Sequence, residues 1–133
     1  MIHLYTDKKC LVFKPFLILF SYLLTKNSIE NKIVTSYQES ADLWFIIWFP
    51  FIKAIPPNSI LYIMDPNSNF IIEGFNQIVR NYRSNILHVL HYSDGISNHH
   101  VLQHQIPMTI MRYGWSEYYQ LEAKDNKQIP FQG

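Results

Sequence analysis

Four segments of the chain are apolar almost without interruption. They are Leu43 to Phe49 (LWFIIWF), Ser59 to Met64 (SILYIM), Ile86 to His91 (ILHVLH) and Met108 to Arg112 (MTIMR). A strand with one wet face alternates apolar and polar residues, and these do not. Strands apolar on both sides belong to parallel sheets that helices cover on both faces. Helical segments fall where such a sheet needs them. Pro15 suits the first turn of a helix running to about Lys26, and its apolar residues nearly encircle the axis, which predicts deep burial. Asn69 to Tyr82 places Phe70, Ile71, Phe75, Ile78, Val79 and Tyr82 on one side of a second helix, although Gly74 weakens it.

Two further strands are expected at Ile2 to Tyr5 and, from β-branched residues, at Ile33 to Ser36. Ser97 or Asn98 is placed to cap a short helix through His104, and Ser116 to begin another. The β-α-β rhythm predicts one α/β domain, a Rossmann-like and mostly parallel sheet with helices on both faces. It would occupy residues 1–123, with 124–133 a polar tail or the start of a linker. A length of 133 residues suits one domain with its own core.

Composition removes several classes. At 48% hydrophobic residues the chain is too apolar for disorder. A formal net charge of +1, with basic residues scattered, gives no footprint for nucleic acid. Cys10 is the only cysteine, which excludes an intrachain disulfide and fits a reducing, cytoplasmic setting. The longest apolar runs, Phe16 to Leu24 and Leu43 to Ile52, fall short of the roughly 20 residues of a membrane-spanning helix, so no transmembrane segment is expected. A weaker reading attaches the chain to a membrane through Phe16 to Leu24. The four glycines, at 74, 95, 114 and 133, cannot build a dinucleotide fingerprint or a P-loop. No cofactor is expected.

Parallel sheets bind ligands beyond the carboxyl ends of their strands. Those ends carry Thr35-Ser36-Tyr37, Asp65-Pro66-Asn67, His91-Tyr92-Ser93-Asp94-Gly95 and Arg112-Tyr113-Gly114. A strand-end histidine such as His91 titrates near neutrality and suits general-base work. His100 and His104 share a helix face, but with Asp94 as the sole further ligand a metal site is not expected. Trp44, Phe45, Trp48, Phe49 and Phe51 read as core. Trp115, Tyr118 and Tyr119 read as candidates for stacking on a ligand.

From Ile55 to Tyr119 the chain resembles the amino-terminal domain of two-domain GT-B glycosyltransferases, in particular a group found in giant viruses and in capsular or surface-glycan loci. The resemblance rests on the proline turn and strand Pro56-Pro57-Asn58-Ser59-Ile60-Leu61-Tyr62, on Tyr82 near a helix end, on His91-Tyr92-Ser93-Asp94-Gly95-Ile96-Ser97-Asn98, and on Tyr113-Gly114. Where the group carries an acidic residue before its tyrosine–serine pair, this chain has His91. The resemblance implies an acceptor-side domain that transfers sugar to a glycan or glycoprotein only with a donor-binding domain, in cis or in trans. It implies His91 or Asp94 as the base. Tyr92, Ser93, Asn98, Tyr113 and Gly114 would hold the acceptor. The alternative is a non-catalytic interaction module or a degenerate fragment of such an enzyme.

Overall fold

The computed structural model describes residues 1–63, 69–91 and 106–110. Within them lie a six-stranded, all-parallel sheet and two α-helices. The elements run β1 (Ile2–Tyr5), α1 (Lys14–Lys26), β2 (Asn31–Val34), β3 (Leu43–Trp48), β4 (Ser59–Ile63), α2 (Asn69–Tyr82), β5 (Ile86–His91) and β6 (Met108–Ile110), with short 3-10 turns at Lys8–Phe13 and Arg83–Asn85. The helices expected after Ser97 and Ser116 lie outside the described residues.

The strand order is β2-β1-β3-β4-β5-β6. From β1 the chain steps one way to β2, then passes back over β1 to β3 and continues in that direction. Right-handed crossovers require such a reversal to switch faces, and the packing obeys. Phe16 and Leu17 of α1 pack with Leu4, Phe45, Ile47 and Tyr62 on one face. Ile71, Phe75, Ile78 and Val79 of α2 pack on the other face with Trp44, Ile46, Trp48, Leu61 and Val89. The connection from β2 to β3 and that from β3 to β4 join this second face through Tyr37, Ile52 and Ile55. Ile46, Leu61 and Val89 are 0% exposed, and burying each contributes roughly 1.5–3 kcal/mol.

Three local expectations need correction. The β2 strand is Asn31–Val34 rather than Ile33 to Ser36. Its register is set by β1, with Ile2 opposite Asn31 and Tyr5 opposite Val34, so Thr35 and Ser36 run on past the end of the ladder. Asn31 also anchors the strand to α1, donating through Nδ2 to Thr25 Oγ1 (3.0 Å) and to the Ile29 carbonyl (2.9 Å). Second, burial of α1 is confined to Phe16, Leu17, Ile18 and Leu19. A helix lying on a sheet presents one side to it, so Leu23 remains 42% exposed. Third, β5 is not covered throughout. Its pairing with β4 shifts between Ser59 and Ile60, where Ser59 faces Ile86 and Ile60 faces His88. Leu87 is the extra residue and turns outward.

Two close fits hold the second face. A Cβ on Gly74 would meet Pro50 Cβ at 2.9 Å and Pro50 Cα at 3.3 Å, so α2 lies against the turn after β3 only because this position lacks a side chain. Asn85 Nδ2 donates to the Ile55 carbonyl at 2.8 Å, tying the start of β5 to the same connection. Among the described residues no helix is long and apolar enough to cross a membrane. The Phe16 to Leu24 run, read as a possible anchor, instead contributes its first half to the core.

Candidate functional site

The reversal of chain direction fixes where a ligand can sit. β1 hands the chain to one face and β3 to the other, so the connections leaving their carboxyl ends part at this point. Open α/β sheets bind ligands at this point. Tyr5, Thr6 and Asp7 approach it from β1, and Trp48, Phe49, Pro50 and Phe51 from β3.

Asp7 is held on two sides. Its Oδ1 accepts from the Lys9 backbone N–H at 2.9 Å, capping the 3-10 turn, and its Oδ2 accepts from the Tyr5 hydroxyl at 3.2 Å. The carboxylate is half-buried and retains lone pairs for a further donor. Tyr37, on the connection that passes over β1, stacks on Tyr5 with ring centroids 4.5 Å apart and meets Trp44 edge-on at 5.2 Å. Among the described residues its buried hydroxyl has no hydrogen-bond partner. Burial, then the Asp7 charge, pushes the Tyr5 phenol up to about 12. Burial, then Tyr5 and Asp7, raises that of Tyr37 further.

On the β3 side, Phe49 and Phe51 stack nearly parallel, 5.9 Å apart and 5° from coplanar. Phe13 stacks on Phe49 at 5.5 Å, and Lys9 Nζ sits 5.5 Å from the Phe51 centroid. Unlike Trp44, Phe45 and Trp48, which are core as expected, Phe49 and Phe51 are only half-buried. This region thus combines a carboxylate, an ammonium and flat apolar rings.

Beside it, between α1 and the end of β2, lies an open cleft of about 560 Å³. Thr6, Lys14, Ser21, Thr35, Ser36 and Gln38 supply its polar lining. Lys32 Nζ donates to Glu39 Oε2 at 3.0 Å on one side, and this contact holds the Glu39 carboxyl below its usual range.

Of the residues expected in the site, His91 alone falls among those described. It ends β5 on the α2 side of the sheet. It is 0% exposed, and its Nε2 contacts Met108 Sδ of β6. His88 lies on the opposite face, its Nε2 2.7 Å from Thr109 Oγ1. Asp94, Tyr92, Ser93, Asn98, Tyr113 and Gly114 lie outside the described residues, as do His99, His100, His104, Trp115, Tyr118 and Tyr119. No group of three His, Cys, Asp or Glu side chains suited to a metal occurs among the described residues.

Tyr37 belongs to one of the expected strand ends, whereas Asp7, Phe49 and Phe51 escaped the sequence reading as site residues. The two phenylalanines read as core, and Asp7 carries no local signal. The signal that separates them is strand order, which places β1 beside β3.

The fold is that of a Rossmann-like α/β domain. No protein-family model matches the chain, and no curated protein is significantly similar to it in sequence.

Proposed function

We propose that the chain is an acceptor-side domain of glycosyltransferase type, binding a hydroxyl-rich acceptor on the carboxyl rim and relying on a donor-binding domain for transfer. One observation carries this reading: at the point where the chain reverses direction, Asp7 stands on the same rim as the partly buried Phe49–Phe51 pair. Carbohydrates offer apolar C–H faces and many hydroxyl donors. Flat rings take the first, and a carboxylate already oriented by Tyr5 takes the second.

Within this reading Asp94, three residues beyond His91 in the sequence, is the base that draws the proton from the acceptor hydroxyl. His91 keeps the end of β5 fixed against β6, because a ring with no exposed surface suits positioning better than proton capture. Asp7 and the phenylalanines orient the acceptor.

The test uses the chain alone. A panel of methyl glycosides is titrated while backbone amide shifts are followed by NMR. Shifts clustered at residues 5–9, 37 and 49–51 are expected, with about tenfold weaker binding in Phe51→Ala, comparable to losing one stacking contact. No shifts with any glycoside, or shifts confined to the amino ends of the strands, overturns the reading. Glycoside binding without transfer after a donor domain is supplied would leave the non-catalytic module in place of the enzyme.

A further inference from the structure

We propose that the 3-10 turn Lys8–Phe13 docks the chain on an anionic lipid surface. The turn stands where α1 begins, on the carboxyl rim. Val12 is 72% exposed and its neighbour Leu11 is 49% exposed, two large aliphatic side chains presented by one short turn. Lys8 and Lys9 precede them and Lys14 follows. Both Lys8 and Lys9 are exposed, and Lys14 is half-buried.

Asp7, which accepts from the Lys9 N–H and the Tyr5 hydroxyl, is the one acid of this stretch, so the three lysines leave a local excess of positive charge. Among the described residues Lys14 forms no ion pair. In a chain with a net charge of only +1, three cations bracketing two exposed aliphatics make a local patch with one complementary partner chemistry: apolar beneath, anionic above. A lipid–water interface offers that order in depth, acyl chains below and charged headgroups around the lysines.

The shape favours a membrane over an acidic peptide. A peptide needs a groove, and a side chain as exposed as Val12 protrudes instead. This docking would also set the rim. Leu11 and Lys14 line the cleft between α1 and β2, so a docked chain holds that opening at headgroup level. The proposal does not depend on the glycosyl reading, and its test measures membrane binding without sugar.

The full chain is floated on density gradients with vesicles of phosphatidylcholine, and with vesicles containing roughly one phosphatidylglycerol in three. Co-flotation about tenfold greater with the anionic vesicles is expected, weakening as salt is raised. Leu11→Ser with Val12→Ser should lower binding about tenfold. Lys8→Gln with Lys9→Gln should lower it similarly and flatten the salt dependence. Near-ultraviolet circular dichroism checks that each variant is folded. If the serine pair disturbs the turn, Val12→Thr repeats the test with shape retained. Absence of co-flotation, equal binding to neutral vesicles, or unchanged binding in the folded serine variant overturns the proposal. Capture of the chain by poly-glutamate but not by vesicles overturns it in favour of an acidic peptide.

Discussion

At Gly74 two residue-scale effects oppose each other. Alanine in a helix interior is favoured over glycine by about 1 kcal/mol. Here its Cβ would lie 2.9 Å from Pro50 Cβ, with Pro50 Cα only 3.3 Å away. The obstacle is a ring and its backbone, not the tip of a flexible side chain, so relief requires moving the turn after β3. Overpacking of this kind costs roughly 1–3 kcal/mol. Gly74→Ala should therefore destabilise the chain by up to about 2 kcal/mol once the helix gain is set against the overpacking, measured by urea unfolding, and Gly74→Val by more. A stabilised alanine variant would show that the helix does not press on Pro50. The sequence reading took Gly74 as a flaw in a helix; the close approach that explains it is a tertiary fact and has no local signal. The same holds for Asp7. Its identity was plain, but its value depends on which strand lies beside β1.

Among the elements, those with long apolar runs were legible and those with mixed character were not. β3, β4, β5 and α2 fall where periodicity and apolar continuity put them, because buried segments leave little freedom in composition. β2 slid by two residues because Thr35 and Ser36 favour extended backbone as well as Asn31 and Lys32 do, and only pairing to β1 decides between them. The connection from β2 to β3 carries no helix, yet it covers β1 through the stacked Tyr37 and Tyr5. This gives the element a measurable alkaline limit. Both phenols are raised above their ordinary value of 10.0, Tyr5 to about 12 and Tyr37 further. A phenol that holds its proton longer when folded stabilises the native state fully below pH 10. The contribution fades above it, because the unfolded chain ionises first. Stability should thus fall from about pH 10 upward, by at most about 1.4 kcal/mol per pH unit for each of the two phenols. Tyr37→Phe should make the fall shallower. An identical pH profile in wild type and Tyr37→Phe would show that Tyr37 is not coupled to folding.

On the scale of the whole molecule, the sheet is shared by two cores, one on each face. Phe16 belongs to one face, and Trp44 and Trp48 to the other. Because β1, β3 and β4 contribute side chains to both, loss of one face should undo the other. Phe16→Ala is expected to cost about 3–5 kcal/mol. Fluorescence of Trp44 and Trp48, isolated in a Trp115→Phe background, reports the opposite face and should show the same shift in midpoint as far-ultraviolet circular dichroism. Separate transitions by the two probes would mean that the faces unfold independently. The shared strands also impose an order on synthesis. β1 comprises residues 2–5 but is an inner strand, bonded to β2 on one side and to β3 on the other. As the polypeptide leaves a ribosome, Leu4 and Tyr5 must wait for residues 43–46 to emerge before their second neighbour exists. Until then this stretch of the nascent chain carries an open hydrogen-bonding edge beside the apolar stretch of α1, a combination that invites holding by a chaperone.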